Sequence, residues 1–376
     1  MPCVSTALII GGGIAGLSAS IALSRAGVRC EVVELAGEPL GASLGISGRA
    51  AEALAELGVY DECYASATPF TADSTALSRM SADGTLLQAA PVRPPAWPGA
   101  KTAIGVYRPA LLQSLADEAE RLGVRIQRGI TASAIEEDAD AARVTFTNGA
   151  RGSYDLIIGA DGIGSATREA TFPDGPKPSY AGQLSLRWMA PGPPVTPEGW
   201  YLGPVGRLGF YYLPQDLVYI PAVINSPERV RLDDQEVHAL FAKLLDSYTA
   251  PAVVELRSRF TPDSEVICRP FEWIFLPAPW HRGRTLLIGD AAHATTAHLG
   301  QGGGMAMEDA VVLGQCIATA ATLAEAFDAF MSRRFERTRT VVETSVALSQ
   351  LEKEGAPPAQ NMALINTALQ TLAQPY

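Results

Sequence analysis

Little in this 376-residue sequence offers a covalent or metal framework. Its five cysteines stand at 3, 30, 63, 268 and 316, an odd and scattered set with no C-x-x-C pair. That argues against a disulfide scaffold or a zinc site and suits reduced thiols in a cytosolic protein. No apolar run reaches the roughly 18 to 20 residues needed to span a bilayer. The start, MPCVSTALIIGGG, lacks the basic segment and long apolar stretch of a signal peptide, so a cytoplasmic location is expected. Positive charge is short as well. Twenty-nine Lys and Arg against 40 Asp and Glu leave a net −11, which disfavours a nucleic-acid or anionic-membrane partner and points to a small one.

What is present is an ordinary globular composition, 47% hydrophobic and 18% charged, enough for a sizeable core and incompatible with disorder or a collagen-like repeat. At roughly 150 residues per domain the length predicts two domains, or two plus an appendage. The first segment reads strand, glycine turn, helix, strand: Ala7 to Ile10, Gly11 to Gly16, Leu17 to Arg25 closed by Gly27, then Cys30 to Glu34. Such a β-α-β unit demands a parallel sheet. Helices are expected from Gly48 to Leu57 and from Pro109 to Leu122, with Pro109 in a first turn and Gly123 just past the end. Val124 to Arg128 returns as a strand. From Thr131 to Ile158 strand-like runs alternate, with an Asn148-Gly149 hairpin signal.

Two stretches, roughly 73 to 97 and 176 to 275, differ in character. Aromatic runs such as RWMA, GFYYLP and LVYIPAVI predict an antiparallel sheet packed on its own helix, Asp233 to Leu245. Phe210, Tyr211, Tyr212 and Tyr219 are expected on one face of its core, with alternate members able to line a pocket. Trp188, Trp200 and Trp273 are assigned to the core. A buried strand resumes at Thr285 to Ile288, and helices follow from Gly303 to Ala318, from Ala324 to about Ser345, and through the tail.

Three motifs carry chemistry. Gly11-Gly12-Gly13-Ile14-Ala15-Gly16 fits G-x-G-x-x-G between a strand and a helix. Gly11 permits the tight turn, Gly13 lets backbone approach a pyrophosphate, and Gly16 allows close helix packing. Glu34 ends the next strand, near the spacing expected of a carboxylate on a ribose hydroxyl. It would repel a 2′-phosphate, so this site should hold the adenosine of FAD or NAD. The second motif, Gly159-Ala160-Asp161-Gly162, follows the apolar run LII of residues 156 to 158, and alone reads as a strand-ending turn. The third, Leu286 to Ala310, contains Gly289-Asp290 and a glycine run, Gly302, Gly303 and Gly304, that opens a helix. Its free N–H groups would face an anion. A buried Asp290 needs a partner, which a cofactor hydroxyl would supply. No second G-x-G-x-x-G is present.

In this order and spacing, IIGGGIAGLSASIAL, VVE, YRPALLQSL, IIGADGIGSATR and TLLIGDAAHATTAHLGQGGGMAMEDAVVL together resemble the group A flavoprotein monooxygenases, the aromatic hydroxylases related to p-hydroxybenzoate and salicylate hydroxylase. The likeness covers most of the chain. It implies an α/β fold with a Rossmann-like FAD-binding domain, an inserted antiparallel β-sheet substrate domain and C-terminal helices. FAD would lie extended, with Gly11, Gly13, Ala15 and Gly16 at the pyrophosphate and Glu34 at the adenosine ribose. Arg108 would touch it, Asp161 and Gly162 would serve FAD and NAD(P)H, and Gly289 and Asp290 would hold the ribityl or pyrophosphate region. Gly302, Gly303 and Gly304 would let the flavin ring approach.

The implied chemistry is transient NAD(P)H reduction of FAD, addition of O2 as a flavin C4a-hydroperoxide, and hydroxylation of a small phenolic or N-heteroaromatic substrate. The Gln301 to Met305 loop and the AMEDAVVLG after it are locally similar to the urate hydroxylase branch, which places Arg207 at an anionic substrate. Relatives usually carry proline where Ala297 stands. His298, next to it, is a candidate to hydrogen-bond or deprotonate a phenol, Tyr211 a candidate to line its pocket, and His293 a structural residue. The implied division is a discontinuous FAD-binding domain of 1–72, 98–175 and 276–330, a substrate domain of 73–97 and 176–275, and a C-terminal helical segment of 331–376. That tail would pack on the cofactor domain or on a second copy in a homodimer. Two rivals remain on the residues alone: a flavoenzyme of this fold that epoxidises or dehydrogenates a larger natural product, and a non-catalytic FAD-binding redox sensor.

Overall fold

A computed structural model describes residues 2–37, 43–71, 78–89, 97–138 and 140–376. Its centre is a six-stranded sheet in the order His281–Arg282, Thr285–Leu287, Leu156–Gly159, Thr6–Ile10, Arg29–Glu34, Arg125–Arg128. All neighbours run parallel except the short edge hairpin of the first two. Ala7, Leu8, Ile9 and Ile10 are all buried, as a strand covered on both faces requires. Alternation splits them. Ala7 and Ile9 pack toward the helices, while Leu8, Ile10 and Val33 meet Val144, Phe146 and Tyr154. The latter belong to a three-stranded antiparallel sheet, Ala132–Glu137, Ala142–Phe146 and Arg151–Tyr154, whose last turn places Gly149 at φ +83°, where a side chain would be strained.

On the helix side, Ile14–Arg25 lies against Gly302–Thr319. At Gly314 a Cβ would stand 2.9 Å from Ala22 of the first helix, so a side chain there would force the helices apart. The long helix Leu323–Lys353 runs eight residues past the expected end near Ser345, and Pro358–Ala373 folds back onto it.

The second large sheet has seven strands, in the order Val266–Trp273, Ser179–Pro191, Leu217–Asn225, Arg207–Leu213, Gly199–Leu202, Arg79–Ser81, Leu86–Gln88. It is antiparallel except where Gly199–Leu202 meets Arg79–Ser81. The last two strands come from the 73–97 stretch, of which 78–89 and 97 are described; the rest lies outside the described residues. Helix Asp234–Asp246, started by an Asp233–Glu236 capping box, covers one face with a second helix that sequence patterning missed, Pro251–Arg259. Leu186, Trp188, Leu208, Phe210 and Ile220 form that covered core.

Pleating corrects the expectation that Phe210, Tyr211, Tyr212 and Tyr219 share one core face. Phe210 and Tyr212 point toward the helices, whereas Tyr211 and its cross-strand partner Tyr219 lie on the opposite face. Trp200 and Trp273 are half-buried rather than core residues, because neither joins the helix-covered cluster. All five cysteines are free. No helix among the described residues is long and apolar enough to cross a membrane.

Candidate active site

The first glycine loop is built by close backbone approach. Gly11 has φ +112°, and a Cβ there would fall 2.3 Å from the Ala160 carbonyl oxygen of the adjoining strand end; one on Gly16 would fall 1.8 Å from the Gly11 carbonyl oxygen. Gly13 is different. Its backbone is extended, at φ −80° and ψ −171°, and nothing lies within 4 Å of its Cβ position. It therefore borders open space at the mouth of helix Ile14–Arg25, where unpaired N–H groups favour an anion. Glu34 accepts hydrogen bonds from Gly12 N at 2.6 Å and Ala36 N at 2.7 Å. Each oxygen keeps a second lone pair for a ribose hydroxyl. Gly289, at φ +56°, has no room for a side chain: a Cβ there would sit 2.7 Å from the Ala15 methyl.

Asp290 is exposed to solvent yet has protein packed around it, as a carboxylate set in a recess does. Surrounding protein raises its pKa, opposed by His293 and Arg108. Arg108, first residue of helix Arg108–Arg121, is half-buried. Burial lowers its pKa, as does Arg187, while Asp290 and Glu34 work the other way. The cleft thus runs from Glu34 past Gly13 and Arg108 to Asp290. This layout fits an extended dinucleotide: a ribose acceptor, a pyrophosphate gap and a hydroxyl acceptor in line.

Three expected cofactor residues have local duties. Asp161 accepts hydrogen bonds from the Ser165 hydroxyl and from Thr167 N and Oγ1, both at 2.9 Å, so its oxygens secure the turn into helix Ala166–Thr171. Gly162, at φ +78° with nothing within 4 Å of a Cβ, gives that turn its shape. Gly304 is a packing residue, its Cβ position 2.7 Å from Ala50, while Gly302 faces Thr295 and Gly303 faces Leu44. Open space of the kind expected for flavin approach lies at Gly300.

The cleft is anchored from behind by charges that sequence reasoning did not single out. Asp309 accepts from Gly289 N at 3.0 Å, from His293 Nε2 at 2.6 Å and from Arg334 Nε at 2.8 Å. Arg334 also donates to Glu308 at 2.7 Å, and Arg337 donates to the same carboxylate at 2.6 Å. Burial pushes the Asp309 carboxyl up, but His293 and Arg334 more than reverse this and hold it below the usual range. The available signal was an acidic pair, Glu308-Asp309, inside the apolar run MAMEDAVVL; two buried carboxylates demand cations. His293 is structural, as expected.

The three expected catalytic residues lie at the sheet face turned away from its two helices, and their environments alter their roles. The Ser43 hydroxyl donates to Val106 O at 2.7 Å, so the Tyr211 phenol donates to Ser43 at 2.7 Å. Burial and neighbouring Tyr219 push its pKa far up, which makes Tyr211 a wall residue rather than an acid or base. Arg207 donates Nε to Glu352 at 2.7 Å and stacks 4.2 Å from the Trp200 ring centre. Its charge is therefore met by the protein, in place of the anticipated substrate. The overlong helix Leu323–Lys353 is what delivers Glu352.

Exposed Ala297 precedes His298, whose ring is buried, with 3% of its side chain accessible. Thr296 Oγ1 donates to Ser345 O at 3.1 Å, so it accepts from His298 Nδ1 at 2.9 Å. That fixes the Nδ1–H tautomer and leaves a lone pair on buried Nε2, which has no hydrogen-bond partner among the described residues and lies 3.7 Å from a Glu352 carboxylate oxygen. Burial, then Arg207, depress its pKa to about 3. His298 can accept a hydrogen bond but is too weak a base to take a phenol proton, which corrects half of the expectation. Below pH 6.5 the unfolded chain takes a proton that the folded one refuses, so His298 should cost about 1.4 kcal/mol of stability per pH unit down to about pH 3. Urea unfolding of the holoenzyme between pH 6.5 and 4 should show a shallower acid slope in His298→Asn than in the wild type; coincident slopes would refute this.

This geometry is that of a dinucleotide-binding protein whose helix Arg108–Arg121 begins beside the aromatic sheet face, where Tyr107 packs with Tyr211 and Tyr219. A family profile described as an FAD binding domain matches residues 4–345, and the chain belongs to that family. It stands among the FAD-dependent monooxygenases, and FAD is its cofactor. The chain is 31% identical over 354 residues to the FAD-dependent urate hydroxylase of Klebsiella oxytoca, covering 89% of this chain and 87% of the relative. It is 30% identical over 347 residues to the 3-amino-4-hydroxybenzoate 2-monooxygenase of Streptomyces cremeus, covering 89% and 84%. The crystal structure of Klebsiella pneumoniae HpxO complexed with FAD and uric acid superposes with a TM-score of 0.82 at 25% identity, covering 99% of this chain and 97% of that one.

Proposed function

We propose that this monooxygenase uses NAD(P)H and O2 to hydroxylate a small phenolic or N-heteroaromatic compound in the cytoplasm. The observation that carries the reading is that the start of helix Arg108–Arg121 meets the sheet face bearing Tyr211 and Tyr219: Tyr107, just before Arg108, packs against both tyrosines, and Ser43 is hydrogen-bonded to Tyr211 at 2.7 Å. When bound, FAD would supply the redox chemistry, taking electrons from NAD(P)H and activating O2 for transfer to the ring. The residues of this chain bind it and exclude water, which would otherwise discharge the activated oxygen as peroxide. Gly11, Gly13 and Gly16 accommodate the pyrophosphate, Glu34 the adenosine ribose, Arg108 and Asp290 the segment between. Asp161 and Gly162 shape the turn beside them, and the helix opening at Gln301 favours negative charge on the flavin. His298 presents Nε2 as an acceptor for a substrate hydroxyl or N–H, Tyr211 walls the ring, and Arg207 fixes Glu352 beside that Nε2, 3.7 Å away. In domain terms, residues 1–72, 98–175 and 276–330 would bind cofactor around a substrate unit of 73–97 and 176–275.

Purified protein should be yellow, NAD(P)H oxidation should accelerate with a hydroxylatable ring, and label from 18O2 should enter the product. Turnover without label would eliminate hydroxylation, and a colourless chain that FAD cannot reconstitute would eliminate the whole reading. Asp290→Ala should lower FAD affinity at least tenfold, roughly 1.4 kcal/mol of binding; unchanged affinity and spectrum would remove Asp290 from the site.

A further inference from the structure

Helix Pro358–Ala373 is held firmly at one end and loosely along its side. Among its described side chains only Ala368 and Leu372 are buried, while Leu364, Ile365 and Leu369 are half-buried. It joins Leu323–Lys353 through Gly355, whose φ of +66° favours glycine and whose Cβ position meets no atom within 4 Å. A helix with so little apolar cover opens locally with a small loss of free energy.

Its far end is different. The last carbonyls of a helix have no partner within it, and here three arginines from other helices meet the carbonyls of its last turn and of the tail beyond. Arg337 donates Nη2 to Leu372 O at 2.7 Å and Nη1 to Gln374 O at 3.1 Å. Arg49 donates Nε to Ala373 O at 3.0 Å, and Arg333 donates to Tyr376 O at 2.8 Å. The Tyr376 hydroxyl adds a bond to Glu56 at 2.6 Å. Cations at a helix C-terminus act both as donors and against its dipole.

Two of these ties lead to the cofactor cleft. Arg337 also holds Glu308, through Nε and Nη2 at 2.6 and 3.0 Å; Glu308 shares Arg334 with Asp309, and Asp309 holds Gly289 N beside Asp290. Arg49 begins helix Arg49–Glu56, whose Ala50 lies against Gly304. Apolar contact makes a third route. Ala368 and Leu372 pack in one cluster with Leu299 and Met305, the residues on either side of the Gly300–Gly304 loop. Undocking the helix would uncover both and strip Arg337 of its carbonyls.

We propose that Pro358–Tyr376 is a clamp on the cofactor cleft, and that its docking and FAD binding strengthen each other. FAD lying along the cleft fixes the glycine loop and the Gly289–Asp290 turn behind which the helix docks; the docked helix in turn holds them for FAD. The clamp rests on that placement of FAD and is independent of which ring is hydroxylated. Such coupling is reciprocal: the factor by which docking raises FAD affinity is the factor by which FAD reduces helix opening.

The test is amide hydrogen exchange of the full chain with and without saturating FAD, beside FAD affinities of the wild type, Leu372→Asp and Leu372→Met. Without FAD, Leu364–Leu372 should exchange faster than the core helix Ile14–Arg25, and FAD should slow it by about tenfold or more. Leu372→Asp, which puts a carboxylate into the apolar contact, should bind FAD more weakly by about the same factor, while Leu372→Met should bind as the wild type does. Exchange no faster than in Ile14–Arg25 would overturn the clamp, and so would wild-type FAD affinity in a Leu372→Asp whose helix exchanges freely. If Leu372→Asp does not fold, the exchange comparison on the wild type decides alone. FAD protection of Ile14–Arg25 without Leu364–Leu372 would also overturn the clamp, whereas protection of neither helix would overturn the placement of FAD itself.

Discussion

Replacing Arg334 with methionine should destabilise the protein by about 3 to 5 kcal/mol, the usual cost of leaving a buried carboxylate without its cation. Arg334 is fully buried, and so are Glu308 and Asp309. Its burial is tolerable because every charged neighbour is met: Nε to Asp309, Nη1 to Glu308, and Nη2 to Met305 O at 3.2 Å. Glu308 would keep Arg337, so the damage concentrates on Asp309, whose other oxygen holds Gly289 N and His293. The variant should therefore lose FAD affinity along with stability, because Gly289 precedes Asp290 in the cleft. Adding Asp309→Asn should restore part of the stability by removing the stranded charge. Urea unfolding of the apo forms, with FAD titration alongside, reads both effects. A single variant as stable as the wild type, or a double variant less stable than the single, would contradict the argument.

The same cluster marks where sequence reading stops. The strand-glycine-helix start, the Asn148-Gly149 hairpin, the interrupted parallel sheet and the cleft glycines were legible because each depends on local conformation: a positive φ at Gly11, a turn at Gly149, an apolar run of helix-forming residues in Ile14–Arg25. Side-chain partnerships between distant elements were not. Glu352 reaches Arg207 across 145 residues, and nothing near Arg207 in sequence announces that its charge is already met. The face occupied by Arg187 required the register of Ser179–Pro191 between two neighbours, and a one-residue slip would have placed it in the helix-covered core. His298 was visible as a candidate, but its tautomer and depressed pKa come from Thr296, Ser345 and burial. Helix Pro251–Arg259 was missed because its nine residues offer too few turns for a clear period.

Gly13→Val should separate cofactor binding from folding, with FAD affinity falling about 100-fold or more, on the order of 3 kcal/mol, and the apo protein as stable as the wild type. The three motif glycines differ in what surrounds them. At Gly11 and Gly16 a side chain would collide with backbone at 2.3 and 1.8 Å, so substitution there strains the fold itself. Gly13 has an ordinary extended backbone and no atom within 4 Å of its Cβ position. Two added methyls on that Cβ would cost the apo protein little, but they would occupy the space through which backbone N–H groups reach the pyrophosphate. Two measurements decide it: apo stability in urea within about 0.5 kcal/mol of wild type, and FAD affinity from recovery of the bound-flavin spectrum. Gly16→Val, measured in parallel, should fail in the first as well as the second. If Gly13→Val binds FAD as the wild type does, the open space beside Gly13 is not the pyrophosphate path, and the cleft must enter the protein elsewhere along the Glu34 to Asp290 line.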